Sequence, residues 1–272
     1  MKRSARFAGS SVLLLLLAGT LGCAKLKARD QLEKGIQAFK AGQYESAVGH
    51  FQQSIALDPT YDTAKLYLAT AYSYQVVPGD NSPGNMKNAQ KALDGFNEVL
   101  AKNPNDVDAL RQIASIHRNV KQYDLAQQDE EKVIAAAPND AEAEYTLGQI
   151  YWQEAYNNAV HTFNAAGLTD DGEGNVKKSK DVCQKLIALN TDLVKNADTH
   201  LMKAVQLNPN YDDAMTYLNL NWRRKADLEC GNDAARKADL AQADDWVKKA
   251  MGAKKINEAE KEKKLGGGVT MK

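Results

Sequence analysis

The chain has 272 residues, 35 basic and 35 acidic side chains, and a formal net charge of +0. That balance excludes the strongly basic surface with which proteins grip nucleic acid by counterion release, so no nucleic-acid partner is expected. Apolar residues at 43%, with only 18 glycines and 6 prolines, fit a folded helical chain and exclude both disorder and a loop-rich β architecture.

At the N-terminus Lys2, Arg3 and Arg6 precede an apolar run that includes Val12 and Leu13 to Leu17. A basic start with a short apolar core is the layout of a secretory signal. Gly19 and Thr20 interrupt the run before the roughly 20 residues needed to span a bilayer. The following Thr20-Leu21-Gly22-Cys23 resembles the lipobox of bacterial lipoproteins, with Thr20 where leucine is usual. The resemblance implies a signal peptide over residues 1–22, lipidation at Cys23 and a short tether over residues 23–28. Ala24 stands where lipoproteins kept at the inner membrane carry aspartate. The expected location is therefore the bacterial cell envelope, lipid-anchored and periplasm-facing, with the outer membrane favoured.

Beyond residue 28 the sequence repeats. Pro59, Pro104, Pro138 and Pro209 each end one apolar helical stretch and precede another, at spacings of 45, 34 and 71 residues. A 34-residue unit with two insertions accounts for all three gaps. Five residues after each proline stands alanine (Ala64, Ala109, Ala143, Ala214), and alanine again stands twelve before (Ala47, Ala92, Ala126, Ala197). Eight before come Phe51, Phe96, Glu130 and Leu201, with only Glu130 departing from the apolar pattern. Small residues at fixed points let two helices approach closely, and proline stops a helix because it lacks an N–H.

This pattern resembles the tetratricopeptide repeat family, and the resemblance covers most of residues 29–255. It implies an all-α, right-handed superhelical solenoid of about five helix hairpins: 29–60, 61–105, 106–139, 140–210 and 211–255. Residues 256–272 are expected as a charged helix end and flexible tail. Two hairpins carry insertions. Residues 76–85, rich in Pro, Gly, Asn and Asp, read as a loop. In the fourth repeat a turn-like Gly167 to Gly174 precedes an apolar stripe at Val182, Leu186, Leu189, Leu193, Ala197, Leu201 and Ala204. That stripe predicts one long helix over residues 181–207. The first helix of the fifth repeat is expected to lengthen, over residues 211–229, to cover it. Ala243, Val247 and Ala250 are expected on the buried face of the last helix.

No nucleophile elbow, phosphate-cradling loop or zinc-helix motif occurs, and His50, His117, His161 and His200 are scattered. No enzyme activity, cofactor or metal is expected. The acidic turn Thr169-Asp170-Asp171-Gly172-Glu173-Gly174 lacks the alternating oxygen ligands of a calcium loop and reads as solvated. Parity and an oxidising compartment favour a Cys183–Cys230 disulfide. Helix arithmetic from the turn at Pro209 nevertheless separates the two by ~9 Å, unless the intervening helix kinks or ends early near Glu229. Two buried thiols are the alternative.

In the tetratricopeptide family the leading helix of each hairpin lines a concave groove that takes peptides or partner helices. Positions 4, 7, 11 and 14 after each proline share one helical face. There Arg111, Arg118, Tyr145, Gln149, Trp152 and Arg223 form the expected partner-binding strip, aromatics and arginine being the residues that dominate interface energetics. The lysine and asparagine pairs of the chaperone-tail clamp are not reproduced. The expected function is a lipid-anchored adaptor or scaffold for a protein or peptide partner. The alternative is an exported enzyme, or a small-ligand or glycan binder, using the loops inserted after Tyr72 and Trp152.

Overall fold

The computed structural model describes residues 8–175 and 177–266, with side chains from Cys23 to Lys264 save residue 176. The expected signal peptide therefore lies wholly outside the described side chains, as do residues 265–272 of the expected tail, and residues 1–7 and 267–272 lie outside the described residues altogether. Among the described residues the fold is all-α, with no strand.

The chain divides into two compact units, residues 1–122 and 123–272. The first contains α1 (Ala8–Lys40), α2 (Tyr44–Leu57), α3 (Asp62–Ser73), α4 (Pro83–Lys102) and α5 (Val107–Asn119). The second contains α6 (Tyr123–Ala136), α7 (Ala141–Ala165), α8 (Lys180–Leu207), α9 (Asp212–Ala226) and α10 (Asp233–Gly266). The division falls in the turn expected inside the third repeat.

Local chemistry sets the helix ends. Each repeat proline lies two residues beyond a helix that closes at Leu57, Lys102, Ala136 or Leu207. Asp106 caps α5 by accepting from the Ala109 amide at 3.0 Å, and Asp140 caps α7 by accepting from the amides of Glu142 and Ala143. Ser82 with Pro83 opens α4, and Ser179 opens α8.

In the first unit α1 pairs with α2, α3 with α4, and α3 also packs on α2. The repeat alanines Ala47, Ala64, Ala92 and Ala109 are buried, with Phe51 and Phe96 filling the space beside them. In the second unit the dominant pairings are α7 with α8 and α9 with α10, around Leu147, Leu201, Leu218 and Trp246. Glu130, the departure from the repeat pattern, is also buried, on α6.

Several expectations change. Residues 23–28 are no free tether but a stretch of α1, where Ala28 is buried and its carbonyl accepts from Ser54 Oγ at 2.7 Å. The loop expected over residues 76–85 is shorter, since α4 begins at Pro83. It is also pinned: buried Asn85 accepts from the Val77 amide at 2.7 Å and donates to the carbonyls of Val77 and Asp80. The long α8 is as expected, but α9 ends at Ala226 and is not lengthened. Instead α7 runs on to Ala165, so the hairpin extends itself: Ala159 and Phe163 meet Leu186, and Leu168 closes the end. On α10 Trp246 is buried and Val247 exposed, because the bulkier ring fills the space above Ala197 and Leu201.

Candidate functional site

Arg111 and Arg118 lie half-buried on α5 of the first unit, where Arg111 Nη1 stands 3.9 Å from Asp108. The remaining strip residues belong to the second unit. Tyr145, Gln149 and Trp152 share one face of α7, and the same spacing continues to Tyr156, a third of which is exposed.

On that face α7 meets α9 through aromatic side chains. The Tyr145 ring packs against Tyr211 (centroids 5.0 Å) and edge-on against Tyr217 (5.6 Å). Trp152 meets Tyr217 edge-on at 5.0 Å and stacks on Tyr156 at 5.3 Å. Gln149 Nε2 donates to Tyr217 Oη at 2.6 Å. At one end Tyr211 Oη donates to the Glu142 carboxylate, and burial together with that carboxylate pushes the phenol up. The indole N–H of Trp152 is buried and meets no acceptor.

Arg223 does not belong to this surface. Its Nε donates to Asn219 Oδ1 (3.1 Å), Nη1 to the Gly172 carbonyl (3.1 Å) and Nη2 to Asp244 Oδ1 (3.0 Å). It is one of several cations that fasten the α7–α8 connection. Arg224, only 4% exposed, donates from Nη2 to Asp170 Oδ1 at 2.8 Å, and its Nη1 lies 3.1 Å from Asp227 Oδ2. Its guanidinium also stands 5.7 Å from the centre of the Tyr156 ring. Arg236 Nη1 donates to the Glu173 carbonyl at 2.7 Å, and Lys178 Nζ donates to the Gly174 carbonyl.

The acidic turn is thus folded onto protein rather than solvated as expected. Asp170 accepts from the Gly172 amide, and Asp171 from the amides of Glu173 and Asn175. Gly174 has φ +80°, and a Cβ there would stand 2.7 Å from the Ala226 carbonyl oxygen, so only glycine fits. An internal guanidinium supplies the positive charge beside these carboxylates. Asp227 is fully buried and neither of its oxygens receives a well-aligned hydrogen bond. Burial pushes its carboxyl up to about 7, against the opposing pull of Arg224 and Lys178.

Cys183 and Cys230 are joined in a disulfide, with Cα atoms 5.8 Å apart. The early end of α9 removes the mismatch in helix arithmetic, placing Cys230 in the turn before α10. Cys23 is an exposed free thiol on α1.

The histidines are explained by packing where their partners are seen. His50 Nδ1 lies 2.8 Å from Gln31 Oε1, and His200 Nδ1 lies 2.7 Å from Glu144, with the Tyr151 ring stacked alongside. Among the described residues no group of three or more His, Cys, Asp or Glu is placed to hold a metal ion.

The repeat frame did not reveal Tyr156, Tyr217 or Arg224. Tyr156 was within reach by carrying the four-residue step one turn past Trp152. Tyr217 lies one residue beyond the frame's chosen face on α9, and nothing local distinguishes Arg224 from Arg223.

No protein-family model and no curated protein matches the sequence. Solved structures of MamA do match the fold. A double mutant of MamA RS-1 aligns at 20% identity with a TM-score of 0.55, covering 86% of this chain and 97% of that one. MamA 41-end from Desulfovibrio magneticus RS-1 aligns at 20% identity and a TM-score of 0.55, covering 85% and 96%. A further crystal structure of MamA aligns at 14% identity and 0.53, covering 90% and 98%. At these identities the likeness is one of fold, and it supports a tetratricopeptide-type architecture of helix hairpins for this chain.

Proposed function

We propose that this chain is a non-enzymatic, lipid-anchored scaffold that binds a protein or peptide partner in the bacterial cell envelope. The observation that carries the partner-binding reading is the half-buried aromatic face of α7 and α9 in the second unit. It joins Tyr145, Trp152, Tyr156 and Tyr217 in one packed row of rings, with Tyr156 exposed at its end. The exposed edges of these rings supply rigid apolar area to an incoming helix or extended segment at low entropic cost. The fold likeness to helix-hairpin proteins is consistent with this reading and does not name the partner.

The test is affinity capture of the detergent-solubilised chain. Trp152→Ala is expected to lower partner recovery by about tenfold or more, as truncation of a central aromatic does in other interfaces. Unchanged helicity by circular dichroism checks that the variant is folded. Arg111→Ala examines the first unit's face separately. Recovery of the same partners at wild-type levels with Trp152→Ala removes the α7–α9 face from the proposal.

Anchoring rests on the exposed Cys23 and the lipobox-like residues before it. Cells fed labelled palmitate are expected to label the wild-type chain and not Cys23→Ser. Label in both, or in neither, rejects the anchor while leaving the partner face intact. With the anchor in place, the body faces the periplasm, and the outer membrane is the favoured surface.

A further inference from the structure

The Cys183–Cys230 disulfide is unequal at its two ends. Cys183 is 2% exposed, whereas Cys230 is exposed. Both line an open cleft of about 450 Å³ between the start of α8 and the turn before α10. Lys178, Lys180 and Arg236 also line it, against Glu229 and Asp233. Asp233 is held by Arg236 at 2.7 Å and by Lys237 at 2.7 Å, so the surplus charge facing the cleft is positive.

Thiol–disulfide exchange requires in-line approach of a thiolate to one sulfur, and access decides which sulfur is attacked. Here the open side is Cys230. We infer that Cys183–Cys230 is an exchange site for small thiols that carry carboxylates, with Cys230 as the attacked sulfur and Cys183 as the leaving group. The incoming thiolate forms a new S–S bond to Cys230 Sγ. The Cys183–Cys230 bond breaks, its electron pair goes to Cys183 Sγ, and that sulfur takes a proton from solvent. The resulting S–H has acceptors waiting, since Cys183 Sγ lies 3.7 Å from the Asp227 carbonyl oxygen and 3.8 Å from that of Leu228. A carboxylate of the incoming thiol meets the exposed Lys180, while Lys178 and Arg236, held by the Gly174 and Glu173 carbonyls, add positive field at the cleft. The incoming thiol is the reductant, its sulfur passing to disulfide level as Cys183 returns to the thiol, so the electrons balance without a further co-reactant.

Exchange unties the α9–α10 turn from α8 while the Arg224–Asp170 contact and the Arg236–Glu173 bond still hold the acidic turn. The site therefore opens without dismantling the unit around it. This inference does not depend on the partner-binding reading.

The experiment uses the full oxidised chain carrying Cys23→Ser, so that only two cysteines remain. Glutathione, mercaptoethanol and cysteamine serve as acidic, neutral and basic thiols, with acid quenching and peptide mass mapping. The expected adduct sits on Cys230, with Cys183 recovered as a free thiol. Rates normalised to thiolate concentration are expected to favour glutathione over cysteamine by about threefold to tenfold, the scale of local electrostatic steering. Lys180→Gln is expected to shrink that preference, and about 1 M salt to abolish it. Adducts on Cys183, equal adducts on both cysteines, or cysteamine reacting as fast as glutathione would each overturn the inference. So would exchange that occurs only at the rate of global unfolding.

Discussion

Replacing Phe51 by alanine is expected to destabilise the first unit by about 3–5 kcal/mol, the range seen for deleting a buried aromatic ring from a core. The ring is fully buried between α1, α2 and α3, beside Ala47 and Ala64. It also lies directly over Gly35 of α1, where an added Cβ would stand 2.4 Å from the ring carbon Cε1. Gly35 and Phe51 are therefore one joint: the missing side chain of the first is the seat of the second. Gly35→Ala alone is expected to cost about 1–3 kcal/mol through overpacking. In the Phe51→Ala background the same change is expected to become neutral or stabilising. The clash is gone, and alanine exceeds glycine in helix propensity by about 1 kcal/mol. All three tryptophans lie in the second unit, so their fluorescence is not a local probe of this joint. Amide hydrogen exchange along α1–α3 does. Additive losses in the double variant would show that ring and glycine do not share one space.

The second large effect centres on Arg224. Replacement by methionine is expected to destabilise the second unit by about 3–5 kcal/mol, because removing one partner of a buried ion pair strands the other. Two carboxylates lose their cation at once, Asp170 and the fully buried Asp227. The loss is expected to be larger at pH 7.5 than at pH 4.5. Folding raises the Asp227 carboxyl from 3.8 to about 7, so the folded unit holds that proton more tightly than the unfolded chain does. The stability linked to the proton is whole below about pH 4 and is lost as pH rises to about 7. Without Arg224 the carboxyl rises further and ionisation at neutral pH becomes harder to bear.

Asp227→Asn isolates the same group from the other side. The amide cannot ionise, so the variant is expected to gain on the wild type as pH rises from 4.5 to 7.5, with Arg224 still paired to Asp170. Urea unfolding followed by tryptophan fluorescence measures both variants in the unit that contains them. A difference that moves in favour of the wild type over that pH interval would contradict a raised Asp227 carboxyl. Together the two substitutions separate burial of the carboxyl from its attraction to the guanidinium.

The hairpins, their ends and much of their packing were legible from the repeat. Each depends on a short-range rule: proline ends a helix, Asp or Ser caps the next, and alanine marks close approach. The three aligned aromatic and amide positions of α7 were legible for the same reason, since a helix places residues three and four apart on one face. Arg223 was misread by that very logic. Its position on α9 matched the frame, but its guanidinium reaches Gly172 and Asp244, far away in sequence. Trp246 and Val247 show the same boundary at one residue's resolution, where both fit an apolar stripe and only the shape of the opposing surface chooses the ring.

By itself the sequence determined an all-helical chain, the helix ends marked by its four repeat prolines, the long α8 and the small-residue contacts that let helices pair. Those features follow from interactions within a few residues or from a period that repeats. Only the tertiary structure decided that α7 rather than α9 lengthens beside α8, that Arg224 neutralises the acidic turn, and that Cys183 meets Cys230. Each of those outcomes joins groups many helical turns apart in the chain. Such groups come together only when burial, charge neutralisation and chain closure are satisfied at once in the folded unit.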